Sequence, residues 1–184
     1  MSTTATRLIT AAEFMAMPQP LDGTKQELVR GEIVTMSRPQ SEHGLVQNKI
    51  QFLLNLHVRA NKRGWVMGEV GVHTEYDPDS VRGPDVFFVS IEHCPARPQG
   101  WFTIPPDLVV EVLLPSDRPG EMRAKVQEYL NAGVPLIWVV DSDMKTVVVH
   151  AGTVKGIKLG EADDIDGGDA LPGFTCKVAD FFAD

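Results

Sequence analysis

Glu111 stands in the run Leu108-Val-Val-Glu-Val-Leu-Leu114, among apolar neighbours only. An ionised carboxylate buried there without a partner is costly, or its pKa shifts. A divalent cation can compensate it, because hard cations prefer carboxylate oxygen. A buried Glu–Arg or Glu–Lys pair, or an open strand end, is the other reading. Asp85 is a second carboxylate; it follows Pro84 and opens the apolar run Val86-Phe-Phe-Val89. An Asp after Pro also caps turns. If the two runs are neighbouring strands, the acids lie side by side, and a metal between them relieves their repulsion. Lys125 lies one helical turn before Tyr129 and borders Met122, Val126, Tyr129 and Leu130. Its stem can reach over the core toward the sheet end; an ordinary helix-surface lysine is the alternative. Asp, Glu and Lys around a metal can hydrolyse a phosphodiester. The metal polarises a phosphate oxygen and lowers the pKa of a bound water, while the lysine holds that water and offsets charge on the phosphoryl oxygens.

Elements that position these residues are legible. Residues 10–17 predict a short helix, with Thr10 and Glu13 at capping-box spacing and Pro18 closing it. Gln26–Arg30, Gly31 and Glu32–Met36 predict a hairpin. Ser41 to about Lys62 predicts a long helix with Ser41 as N-cap and Gly64 as stop. Its apolar stripe includes Val46, Ile50, Leu53, Leu54 and His57, and His43 and Gln47 fall on or beside it at the N-terminal end. Trp65–Glu75 reads as a strand broken by Gly68 and Gly71. Further strands are expected at 85–89, 108–114 and 136–140, the last with a hairpin partner at 145–150. A second long helix is expected at 121–132, ended by Gly133. Phe174–Val178 and Phe181-Phe182 should return to pack on the body. Strands without polar alternation require a sheet covered on both faces. The element order therefore predicts an α/β fold, a mixed sheet flanked by helices.

With 184 residues and near-average apolar content, one domain spanning 1–184 is expected, with residues 1–9 flexible and 160–184 an acidic segment packing back. Cys94 and Cys176 form no Cys-x-x-Cys pair, so a reducing compartment fits. No signal-peptide-like start or membrane-length apolar run is visible, and cytoplasmic localisation follows by elimination. The net charge of −8 argues against a protein that coats nucleic acid non-specifically. Yet Arg38, Lys49, Arg59, Lys62 and Arg63 face only Glu42 over residues 38–63, so a local basic face or a solvated helix face are both open.

Pro84-Asp85, Glu111 and a following lysine resemble the PD-(D/E)XK nuclease superfamily. Closer still is its Uma-two group of restriction-endonuclease-like proteins. Matching stretches are Glu27-Leu-Val-Arg-Gly-Glu32, His43, Arg82-Gly-Pro-Asp-Val86, Asp107-Leu-Val-Val-Glu-Val112, Pro115-Ser-Asp-Arg118, Lys125-Val-Gln-Glu-Tyr129, Ala132-Gly-Val134 and Trp138-Val-Val-Asp141. The ordered set runs from about residue 10 to the C-terminus. The resemblance implies a restriction-endonuclease-like core behind an N-terminal helix and hairpin, with Asp85 and Glu111 as ligands of Mg²⁺ or Mn²⁺. It implies that Lys125, on the helix, replaces the strand lysine absent at Leu113. Leu114 stands where the group usually has Ser. Glu27 and His43 match recurrent polar positions and are carried over to the catalytic site; for His43, a helix-start histidine bonded to backbone is the competing reading. The function implied is a metal-dependent endonuclease acting on nucleic acid, DNA before RNA. No recognition module is visible in the sequence, so a homodimer is expected to supply the second half of a duplex-cleaving machine. A catalytically inactive nuclease fold serving nucleic-acid or protein association, or a structural module with a merely paired Glu111, are the alternatives.

Overall fold

A computed structural model describes residues 7–18, 20–21 and 24–183. Of the start expected to be flexible, residues 1–6 lie outside the described residues; Ile9 N–H donates to the Gly31 carbonyl at 2.9 Å. Helix α1 (Ala11–Ala16) begins at the expected capping box, with the Glu13 N–H bonded to Thr10 Oγ1 at 3.2 Å and the Thr10 N–H to Glu13 Oε2 at 2.9 Å. Strands β1 (Gln26–Val29) and β2 (Glu32–Thr35) form the hairpin, turning through Arg30 and Gly31 at φ of 49° and 78°. A Cβ on Gly31 would stand 2.7 Å from the Leu8 Cβ, so the site needs glycine for space as well as for φ.

Helix α2 (Ser41–Asn61) differs from expectation at both ends. Gln40 is its N-cap, with no side-chain bond, and Lys62 takes the left-handed position at φ 52°. Gly64 is therefore free to open β3 (Gly64–Met67). The segment 65–75 is two strands in different sheets, not one broken strand: β3 belongs to one and β4 (Val72–Glu75) to the other. The glycines between them permit close crossings. A Cβ on Gly68 would sit 2.4 Å from the Asp85 carbonyl oxygen, and one on Gly71 2.8 Å from the Trp101 ring.

Strand β4 pairs with β5 (Ser80–Arg82), which pairs with β1, completing a four-stranded sheet in the order β2-β1-β5-β4. The second sheet adds β6 (Val86–Ser90), β7 (Leu108–Val112), β8 (Leu136–Asp141), β9 (Thr146–Ala151) and β10 (Ile157–Gly160), in the order β10-β9-β8-β7-β6-β3. Its β7–β8 pair is parallel, joined through helix α3 (Pro119–Asn131), and its other pairs are antiparallel. Strands β11 (Asp164–Asp166) and β12 (Thr175–Lys177) pair near the end. Of these, β5, β10 and β11 carry too little apolar pattern to be foreseen.

Both faces of the six-stranded sheet are covered. On one, Val46, Ile50 and Leu54 of α2 pack with Phe88, Val110 and Trp138, and Leu171, Phe174 and Phe181 join them from the C-terminal segment. On the other, Val126 and Tyr129 of α3 and Val72 of β4 pack with Phe87, Val109 and Ile137. This double cover explains the continuous apolar runs. Alternation along β7 sends Val110 and Val112 toward α2 and Val109 toward α3, so Glu111 also faces α3.

Candidate active site

The β6–β7 register pairs Val86 with Val110. One step further sets Asp85 opposite Glu111, and directly opposed residues have Cβ atoms about 5 Å apart on one face. The Val112 N–H donates to Asp85 Oδ2 at 2.8 Å, which pins Asp85 to β7. Both acids are buried and both line a cleft of about 650 Å³ between the sheets and the N-terminal ends of α2 and α3. The side-by-side placement expected from the two apolar runs is thus present.

Lys125 is not a helix-surface lysine. It is buried, with Nζ 2.9 Å from Glu111 Oε1 and 3.3 Å from Glu27 Oε1. Glu111 Oε1 also accepts from the Tyr129 hydroxyl at 2.6 Å. Tyr129 is one turn after Lys125, so a single helix face delivers both donors to the mid-strand acid. A Glu–Lys pair and a site geometry therefore coexist at Glu111; they are not exclusive readings.

Glu27, from β1, enters the site through charge. Its Oε2 meets Arg82 Nη1 at 3.0 Å, and its Oε1 accepts the Gly83 N–H at 3.0 Å. Arg82 also grips Glu128, which in turn accepts from Thr74. The buried network thus ties both sheets to α3. His43 reaches the same end from α2, with Nε2 3.2 Å from Asp85 Oδ2 and a buried Nδ1 lacking a hydrogen-bond partner among the described residues. The partner at Nε2 is the Asp85 carboxylate. Gln47, one turn on, donates to the Asp85 carbonyl at 2.9 Å. On the cleft side, Lys25 Nζ lies 3.7 Å from Asp85 Oδ1.

These contacts separate the acids electrically. Burial pushes Asp85 up, but the His43 hydrogen bond, the Lys25 charge and the Val112 N–H outweigh it, and its pKa is lowered. Burial likewise opposes ionisation of Glu27, yet Lys125, Arg82 and the Gly83 N–H leave it lowered. For Glu111 burial wins; Lys125 pulls its pKa down, the charges of Asp85 and Glu27 push it up, and the balance is raised. Burial disfavours the charged lysine, but Glu111 and Glu27 hold Lys125 well above its ordinary value. Burial and the Glu111 charge raise Tyr129, so its hydroxyl remains a donor. Because the folded pKa of Glu111 lies above its unfolded value, its ionisation costs stability at neutral pH, and acidification or a bound cation relieves that cost.

The donor set suits a hard divalent cation. Lys125 and Tyr129 both engage Oε1 of Glu111, and His43 and Val112 both engage Oδ2 of Asp85, which leaves one oxygen on each acid outside those bonds. Among the described residues no three His, Cys, Asp or Glu side chains gather as a metal cage. Mg²⁺ does not need one, since it keeps several waters and binds through one or two carboxylates plus substrate phosphate.

All five residues expected from the sequence meet at this cleft: Asp85, Glu111, Lys125, Glu27 and His43. Sequence reasoning missed roles for Arg82, Lys25, Glu128 and Tyr129. Arg82 and Tyr129 stood inside matching stretches but carried no signal of what they bind. Lys25 had none, because its proximity to Asp85 depends on how two sheets meet.

This is a restriction-endonuclease-like α/β fold. It superposes on the crystal structure of a "putative nuclease belonging to DUF820" from Anabaena variabilis ATCC 29413 with a TM-score of 0.82 and 21% identity, covering 95% of this chain and 97% of that one. The chain belongs to the Uma2 family, described as "Putative restriction endonuclease", whose model matches residues 11–179. No curated protein matches it. Among the described residues, no helix is long and apolar enough to cross a membrane.

Proposed function

We propose that this protein is a divalent-metal-dependent endonuclease that hydrolyses phosphodiester bonds in DNA. The observation that carries the reading is one cleft that holds Asp85, Glu111 and a buried Lys125 with Nζ 2.9 Å from Glu111. Asp85 and Glu111 would hold Mg²⁺ or Mn²⁺. Bound there, such an ion would polarise a phosphate oxygen and lower the pKa of a water. The Lys125 ammonium would orient the attacking water and offset charge on the phosphoryl oxygens. Tyr129 and Glu27 fix the Glu111 carboxylate and the lysine, and His43 fixes Asp85. Lys25, Arg38 and Arg118 also line the cleft and provide local positive charge in a chain of net charge −8.

A second reading, a nuclease fold kept as an interaction module, rests on one observation: Glu111 already has Lys125 and the Tyr129 hydroxyl as partners, so its burial does not by itself require a metal. Thermal unfolding separates the two. Mg²⁺ or Mn²⁺ should raise the melting temperature, by about 2.7 kcal/mol of added stability at 100 times the dissociation constant. Glu111→Gln should abolish that rise. An unchanged rise in the variant would move the metal elsewhere, and no rise in the parent would favour the second reading.

The proposal includes a homodimer, because cutting both strands of a duplex takes two sites. Leu45, Phe52 and Leu56 line the outward face of α2 at 65%, 62% and 60% exposure. Antiparallel pairing of two α2 helices would set Leu45 on Leu56, Lys49 on Phe52 and Glu42 on Arg59 of the second copy, an apolar and charge-complementary match. Phe52→Glu should yield monomer at concentrations where the parent self-associates, read by sedimentation velocity; a variant that still self-associates would place the interface elsewhere. The free thiols Cys94 and Cys176 suit a reducing, cytoplasmic setting.

A further inference from the structure

Two lysines approach the paired acids, and they are in opposite circumstances. Lys125 is buried and neutralised by Glu27 and Glu111. Lys25 keeps 27% of its side chain exposed, lies at the start of the β1 hairpin and meets Asp85 through a 3.7 Å contact. That contact falls on Oδ1, the Asp85 oxygen that neither His43 nor the Val112 N–H uses. Lys25 thus stands where a cation drawn to Asp85 would arrive.

We propose that Lys25 is a displaceable counter-charge for Asp85, which yields to the divalent ion and then binds the phosphate being cleaved. This rests on the metal-dependent reading above. The physical argument is electrostatic. A buried carboxylate is costly without a positive partner, and Lys25 supplies part of that charge to Asp85 while no ion is bound. A divalent cation at Asp85 repels an ammonium only a few ångströms away, and the flexible, partly solvated stem of Lys25 lets it move at little cost. Lys125 cannot do the same, because leaving Glu111 would strand two buried acids. A freed ammonium lining the same cleft suits a bridging or non-bridging phosphate oxygen.

Lys25→Met tests this, with Lys25→Arg as the charge-keeping control. In the parent and both variants, Mg²⁺ is titrated while the melting temperature is followed, and cleavage of duplex DNA is then measured at saturating Mg²⁺. Because Lys25 is partly exposed, both variants should fold. The Mg²⁺ concentration that gives a set rise in melting temperature should be about twofold to fivefold lower for Lys25→Met than for the parent, the scale of one partly exposed ion pair. Its cleavage at saturating Mg²⁺ should fall by about tenfold or more, less than for loss of a buried donor. Lys25→Arg should need the parent's Mg²⁺ concentration for that rise. An unchanged or higher concentration in Lys25→Met overturns the displacement, and undiminished cleavage overturns the phosphate role. A parent whose melting temperature ignores Mg²⁺ would instead remove the metal reading and this inference with it.

Discussion

Lys125→Met should lower metal-dependent cleavage by about 10²-fold or more, the scale of losing one preorganised electrostatic group. The substitution keeps much of the stem volume on α3 but removes the charge 2.9 Å from Glu111 and 3.3 Å from Glu27. It therefore also leaves two buried acids short of a partner, and the metal-free variant should lose about 3–5 kcal/mol of stability. Mg²⁺ should return part of that stability, because a cation held by Asp85 and Glu111 supplies the missing charge. The assay must be run below the variant's own melting temperature, with circular dichroism as the check. A folded Lys125→Met protein that cuts at the parent's rate would make Lys125 a structural counter-ion and nothing more.

Arg82→Met should damage the fold as much as Lys125→Met does. Arg82 is held between Glu27 and Glu128, whose side chains are 1% and 8% exposed. Burial works against its charge, yet both carboxylates hold its pKa above the ordinary arginine value. Removing one member of a buried ionic network costs about 3–5 kcal/mol, because the partners stay buried and unpaired. For a chain of this length that corresponds to a fall in melting temperature of about 10 °C. Acidification should then recover stability in the variant, since Glu27, buried and short of one partner, can protonate. In the parent the Glu27 contribution runs the other way: its folded pKa is lowered, so the stabilisation is present above the ordinary carboxylate range and lost as pH falls through it. A variant that unfolds at the parent's temperature would show that the network is dispensable.

The sequence carried the acids and their strands because burial there leaves a local trace. A Glu amid Val109, Val110, Val112 and Leu113 is anomalous on its face, and an Asp at the head of Val86–Val89 acquires meaning beside it. Two-sided cover of the sheet was legible for the same reason. What was not legible is what depends on long-range assembly. Nothing near Gly68 and Gly71 says that the chain leaves one sheet for another between them. Arg82 and Lys25 reach their partners only once β1, β5 and β6 are brought together, and Glu128 needs α3 against β4 as well. The acidic C-terminal segment hid Ile165 and Leu171, both fully buried against α2 and the sheet, because isolated apolar residues among glycines and acids give no period. Helix ends misled where the left-handed position fell on Lys62 and not on glycine.

The central claim is that Asp85 and Glu111 hold a cation that makes this cleft a nuclease. Its most direct test is incubation of the purified protein with Mg²⁺ or Mn²⁺ and single-stranded, duplex and supercoiled DNA, beside Asp85→Ala and a chelator control. The parent should convert supercoiled DNA to nicked or linear forms only with the divalent ion, and Asp85→Ala should leave it intact at equal protein concentration. Cleavage that persists in Asp85→Ala, or that survives the chelator, would contradict the account.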